Sequence, residues 1–204
     1  MIYECGPAHD RRSFNIQLPE WKKLGVLISG GIDSALLYYL LLKEIQDQHT
    51  NHTIVPIYIT RKEGSRYYAV PVIEHIQQLF GISVKPARLG NTVLPEHQQV
   101  TSGVEQAFRL LKLEVIFIGT IVVRQEHMQG WFPIHATETD HFKMPFINLE
   151  KSHVIDMYYQ LGIEDLLSIT YSCIQEPLRC HQCNGCRERS WGFAELGKID
   201  PAEF

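Results

Sequence analysis

Two groups of residues in this chain have the types and the spacing to do chemistry. The first is Ser29-Gly30-Gly31-Ile32-Asp33-Ser34, directly after the apolar run Val26-Leu27-Ile28. A buried strand there feeds a loop with two adjacent glycines, and Ser34-Ala35-Leu36-Leu37 opens a helix at once. Glycines let the backbone approach a phosphate closely. The free N–H groups of a helix start, with the dipole behind them, attract the anion. The loop lacks the lysine of the GxxxxGK[ST] pattern, so it is not the kinase or GTPase cradle. The plainer alternative is a tight strand-to-helix corner. The second group is Cys173 followed, after six residues, by Cys180-His181-Gln182-Cys183-Asn184-Gly185-Cys186. Four thiolates so spaced can converge on one tetrahedral Zn²⁺, a closed and therefore structural site with no position left for water. An iron–sulfur cluster uses similar spacing, and unmetallated thiols are the remaining alternative. His181 is flanked by better-placed sulfurs and reads as a surface or neighbouring residue, while Cys5 lies outside the group as a free thiol.

The elements that must position these groups read as an α/β fold, because apolar runs alternate with helical patterns. Strands are expected near 24–28, 53–59, 83–87, 114–118 and 142–146, and helices near 34–46, 67–80, 104–112 and 150–161. Residues 1–23 read as a lead-in arm. The result is a doubly wound, mostly parallel five-stranded sheet, with a core over 1–166 and a small cysteine-bearing segment over 167–204. Ligands in such sheets sit at the carboxyl ends of the strands, near the switch point. Ser29–Ser34, Arg61–Arg66 and Gly119–Arg124 are expected to gather there. A formal net charge of −4 argues against a broad nucleic-acid-binding surface. No apolar run reaches the length of about 18 residues needed to span a membrane, and residues 1–5 lack a basic-then-apolar signal layout. A cytoplasmic protein is the expectation.

The S-G-G-x-D-S loop resembles that of the ATP pyrophosphatase (PP-loop) superfamily, which cleaves ATP between the α- and β-phosphates. With the tail Cys180-x-x-Cys183-x-x-Cys186-x-x-Arg189-x-x-Gly192-Phe193, then Gly197 and Asp200-Pro201, the chain resembles the 7-cyano-7-deazaguanine synthases of queuosine precursor synthesis. Gly64-Ser65-Arg66 falls on that family's Gly-Gln-Arg, and Pro145 with Lys151 on its Pro-x-x-x-x-x-Lys. The resemblance implies an adenine-nucleotide α-hydrolase-like fold and an ATP-dependent carbon–nitrogen ligase. That enzyme would turn 7-carboxy-7-deazaguanine and ammonia into the nitrile, using ATP, Mg²⁺ and Zn²⁺. It implies that Ser29, Gly30, Gly31 and Ser34 bind pyrophosphate, with Gly119 beside them. Asp33 is then a Mg²⁺ ligand or a helix N-cap, and Arg66 and Lys151 clamp phosphate. The alternative for Lys151 is an ordinary exposed helix lysine. A homodimer is one assembly the resemblance allows.

The chain departs from that family at two places. Thr101-Ser102-Gly103-Val104-Glu105 stands where a Pro-Gly-Arg-Asn stretch is expected. The 121–141 region lacks the Ser-Gly-Tyr-Pro-Asp-Cys-Arg substrate loop. Trp131 and Phe132 there could stack on a planar ring or seal the core, with Glu126, Glu138 or Asp140 as hydrogen-bond acceptors. Two other readings therefore stand beside the family activity. One is a PP-loop enzyme adenylating a different, even macromolecular, acceptor; the other is a non-catalytic nucleotide- and zinc-binding protein.

Overall fold

A computed structural model describes residues 1–59, 66–90, 93–94, 96–124, 126, 138–173 and 179–202, with residues 66, 67, 96 and 97 described by backbone alone. The lead-in segment is folded: β1 (Ile2–Cys5) and β2 (Arg12–Asn15) form an antiparallel hairpin. Its alternation is hard to read in the sequence because each strand is only four residues long, with Tyr3, Cys5 and Phe14 buried between exposed positions that include the apolar Ile2.

β3 (Lys23–Leu27), α1 (Ile32–Asp47), β4 (Thr53–Ile59), α2 (Arg66–Leu79), β5 (Ala87–Leu89), α3 (Glu96–Leu111), β6 (Val115–Phe117) and β7 (Phe142–Lys143) follow. The five later strands make one parallel sheet in the order β5-β4-β3-β6-β7. β3 is central, and the chain reverses its direction of travel between β3 and β6, which is the switch point.

Side chains on the strands alternate between two cores, as the pleat requires. Leu24, Val26, Val115 and Phe117 face the larger core, built with α1, α2 and α4 (Lys151–Leu161). Ile57, Leu89 and Ile116 face a smaller core under α3, with Val104 and Ala107. Helices thus cover both faces, as expected for a doubly wound sheet. Gly25 sits on the α3 face, where a Cβ would come within 2.7 Å of Leu113 Cδ1.

Three boundaries differ from the sequence expectation by more than two residues. The strand expected at 83–87 starts only at Ala87. Val84 is diverted because its N–H and C=O bond the Gln77 side chain at 3.0 and 2.8 Å, and Pro86 has no N–H to pair. The helix expected at 104–112 begins at Glu96, because polar Gln99 is buried and its Nε2 donates to the Leu94 carbonyl. The last strand stops at Lys143, short of Pro145.

After α4 come α5 (Asp165–Ile169) and α6 (Asn184–Glu195). Arg189 of α6 is buried and forks onto Asp200, with Nε–Oδ2 at 2.5 Å and Nη2–Oδ1 at 2.6 Å. Its remaining donors reach the carbonyls of Thr170 and Leu167. This pair sews the last residues and α6 onto α5. Removing one charge leaves the other buried without compensation, so Asp200→Asn should cost about 3 kcal/mol. A lowered urea midpoint at unchanged slope is the expected result.

Candidate active site and metal centre

At the carboxyl end of β3 the chain turns through Ser29–Gly31 into α1, whose N-cap is Gly31 with no capping side chain. The first-turn N–H groups are therefore not claimed by a capping side chain, which leaves the donors that an anion at a helix start would use. Asp33 is the second residue of α1 rather than its N-cap. Ser34 faces back into the loop: its Oγ accepts the Ser29 N–H at 3.1 Å, lies 3.1 Å from Ser29 Oγ and donates to the Gly31 carbonyl at 3.2 Å. Ser29 Oγ also accepts the Gly31 N–H at 3.2 Å.

Two glycines are required by this geometry. Gly30 has φ +87°, and a Cβ on it would lie 2.6 Å from the Tyr68 backbone. Gly119, just beyond β6, lets the neighbouring strand end approach the loop. A Cβ there would lie 2.9 Å from the Asp33 carbonyl carbon. The cleft between these strand ends, open to solvent, is lined by Ser29, Asp33, Ser34 and Gly119, with Ile57 and Ile59 as an apolar wall.

Lys151, the first residue of α4, is only 5% exposed in its side chain, so it is no ordinary surface lysine. Its Nζ donates to Asp33 Oδ2 at 2.6 Å and lies 3.4 Å from Glu188 Oε2. Burial pulls the ammonium pKa down, but the charges of Asp33 and Glu188 outweigh it and the net shift is upward. Burial raises the Glu188 pKa, with Lys151 opposing the shift. Asp33 Oδ1 and Glu188 Oε1 are both buried and have no hydrogen-bond partner among the described residues. The Tyr158 hydroxyl, from the same α4, donates to the Ile32 carbonyl at 2.6 Å. α4 thus grips the loop twice.

Sequence reasoning missed Glu188, Tyr158 and an aromatic brace. Tyr171 N–H donates to the Gly30 carbonyl at 2.8 Å, and its ring stacks on Tyr68 at 3.7 Å between centroids. Tyr171 lies two residues before Cys173, so one short segment serves both loop and cysteines.

The four cysteine sulfurs lie within 4.8 Å of one another, with Cys173 to Cys180 at 3.5 Å and Cys173 to Cys183 at 3.9 Å. Metal–sulfur bonds of about 2.3 Å give a tetrahedral edge of about 3.8 Å, so the quartet fits one metal ion. These separations are far from a disulfide bond. The backbone N–H groups of Gln182 and Cys183 lower the Cys180 pKa to about 6, favouring the thiolate that ligates metal. Gly185 is crossed by Ser172, whose carbonyl oxygen leaves no room for a Cβ there. His181 stands outside the quartet. Cys5 is buried under the hairpin, and burial pushes its thiol up to about 12.

Asp10, Glu150 and His153 also cluster. There Nδ1 of His153 accepts the Glu150 N–H at 3.3 Å, which puts the ring proton on Nε2 and removes that nitrogen as a ligand. Arg12 already bridges the two carboxylates.

Residues 126–197 match the family model for queuosine biosynthesis protein QueC. The chain is 26% identical over 180 residues to the 7-cyano-7-deazaguanine synthase of Acinetobacter baylyi, covering 78% of this chain and 74% of that protein. The chain is similar to the 7-cyano-7-deazaguanine synthases. The counterpart from Hydrogenovibrio crunogenus is 25% identical over 232 residues, covering 90% and 96%. The one from Syntrophotalea carbinolica is 35% identical over 79 residues, covering 37% of this chain and only 30% of that protein's length. Among solved structures, the U34-tRNA thiolase NcsA from Methanococcus maripaludis with its [4Fe-4S] cluster is similar at TM-score 0.47 and 16% identity, covering 85% of this chain and 65% of that one.

The segment that matches the family model carries Lys151 and all four cysteines, and folding brings its lysine to a loop aspartate 118 positions earlier. Other expected residues are less informative. Arg66 opens α2 by its backbone, but its side chain, Gly64, Ser65, Trp131 and Phe132 lie outside the described residues. Glu126 pairs with Arg124 at 3.2 Å, Glu138 accepts the Met144 N–H at 2.6 Å, and Asp140 is exposed. Among the described residues, no helix is long and apolar enough to cross a membrane.

The quartet geometry makes the metal testable. Purified protein should carry about one metal ion per chain with four sulfur ligands, and Cys183→Ser should lose it and loosen α6. Elemental analysis reads the result, and unchanged metal content in the variant would contradict the assignment.

Proposed function

We propose that this chain is an ATP-dependent carbon–nitrogen ligase that converts 7-carboxy-7-deazaguanine and ammonia to 7-cyano-7-deazaguanine. The observation that carries this reading is the 2.6 Å contact of Lys151 with Asp33, which joins the QueC-like segment to a phosphate-type loop. A carboxylate resists amination because oxide is a prohibitive leaving group. Attack of its oxygen on the ATP α-phosphorus expels pyrophosphate and makes an acyl adenylate. Ammonia then displaces AMP to give the amide. A second ATP activates the amide oxygen, and loss of AMP and a proton leaves the nitrile. Both carboxylate oxygens depart on AMP.

In this reading the Ser29–Ser34 loop and the start of α1 hold the pyrophosphate, and Gly119 keeps the neighbouring strand end close. Lys151 offsets the charge that develops on the departing phosphates, and Arg66 is a second candidate clamp. Catalysis comes from positioning and electrostatics rather than from a protein nucleophile. Asp33, with one oxygen unspent, is the residue that would hold Mg²⁺, whose chemistry is to neutralise phosphate charge. The cysteine quartet fits Zn²⁺ as a closed structural ion. Such thiols stay reduced in the cytoplasm, where the protein is placed by this reading.

A second reading, a different acceptor for the same adenylation, is favoured by one observation. The positions of the family's Arg and Asn fall within α3 on Thr101–Glu105, where Gly103 packs against Ile59. One experiment separates the readings: protein, MgATP, ammonia and the deazaguanine acid, with nucleotide and base products followed together. AMP, pyrophosphate and nitrile are expected, and Asp33→Asn should lower kcat/KM for ATP by about 100-fold. AMP without nitrile favours another acceptor. ADP and phosphate as products would overturn both.

A further inference from the structure

We propose that Glu188 is a positioning residue that holds the Lys151 ammonium in the nucleotide loop, tying the cysteine-bearing segment to the reaction. This inference rests on the function proposed above. Glu188 occupies one of the unspecified positions between Cys186 and Arg189, so the family resemblance gives it no role.

An ammonium has three N–H donors on a flexible four-carbon stem. Asp33 takes one at 2.6 Å, and Glu188 Oε2, at 3.4 Å, is the other anionic partner given to Nζ. With two acceptors fixed, the third donor has a defined direction, and Asp33, which lines the cleft, holds the ammonium beside it. Were Asp33 drawn onto a nucleotide-bound cation, Glu188 would be the anion left to keep this buried charge in place. A buried carboxylate with an unpartnered oxygen is costly, and Glu188 Oε1 is in that state. It persists because its backbone is fixed on both sides. Cys186 lies two residues before it, and Arg189 immediately after is locked to Asp200, Thr170 and Leu167. One turn on, Gly192 lets α6 lie against Lys151 itself, where a Cβ would come within 2.9 Å of Lys151 Cγ. The metal segment therefore delivers both the surface along which the lysine stem runs and the carboxylate that aims its head.

Simple electrostatics makes the opposite forecast from positioning. Asp33, Glu188 and Lys151 together carry a net negative charge, so neutralising Glu188 should tighten ATP binding and leave turnover alone. Positioning requires turnover to fall while binding holds. The test compares wild type with Glu188→Gln, Glu188→Leu and Glu188→Asp by metal content, MgATP affinity from calorimetry, and AMP formation with the deazaguanine acid and ammonia. Glu188→Gln and Glu188→Leu should keep the metal and bind MgATP as well as wild type or better, with kcat down at least about tenfold. Glu188→Asp should recover most of that loss. Wild-type kcat in Glu188→Gln, metal loss from it, or failure of aspartate to rescue each overturns the inference. A wild type that binds MgATP but makes no AMP overturns the proposed reaction and this inference with it, whereas an active wild type with an unaffected Glu188→Gln overturns only the inference.

Discussion

A lysine ammonium taken out of water must be met by anions, and the ion pair from Lys151 to Asp33 is where this structure satisfies that demand. The two residues are 118 positions apart, so the contact exists only if most of the fold is in place. β3 must end where α1 begins, α4 must cross behind the loop, and α6 must press on α4 through Gly192. Each of these brings a charge or a surface that would be unfavourable alone. Asp33 is a half-buried carboxylate, Lys151 a buried cation, and Glu188 a buried carboxylate with one oxygen unpartnered. Together they make the region of the nucleotide loop, α4 and α6 interdependent.

The parallel sheet supplies the geometry that the ion pair then fixes. β3 and β6 are parallel neighbours, and the crevice at their carboxyl ends receives a helix N-terminus on one side and the small residue Gly119 on the other. The cysteine-bearing tail does more than gather four sulfurs. Tyr171, two residues before Cys173, holds the Gly30 carbonyl, and α6, whose N-cap is Cys183, carries Glu188 to Lys151. A metal ion bound by those four sulfurs would add its binding energy directly to the folding of this segment.

How much of this was legible in the sequence follows from the range of each signal. The Ser29–Ser34 loop, the strand over 53–59 and the cysteine quartet are written in consecutive residues, and all three lie where the spacing predicts. The hairpin of β1 and β2 was missed because four-residue strands give too few periods to read, and Ile2 breaks the alternation by being apolar and exposed. The first two turns of α3 were missed because their buried residue is Gln99, whose burial depends on a partner outside the helix. Glu188 was invisible for a similar reason: a glutamate on a polar helix looks solvent-facing until the lysine behind it is known. Trp131 and Phe132, expected either to stack on a planar ring or to seal the core, lie outside the described residues.

If the Lys151–Asp33 pair organises the site, the two residues must be energetically coupled in the folded protein without any ligand. A double-mutant cycle with Asp33→Asn, Lys151→Met and the combined variant, read by urea unfolding, measures that coupling directly. The account predicts that the two losses are strongly non-additive, with a coupling energy of about 1–3 kcal/mol. Losses that simply add, to within about 0.3 kcal/mol, would contradict it.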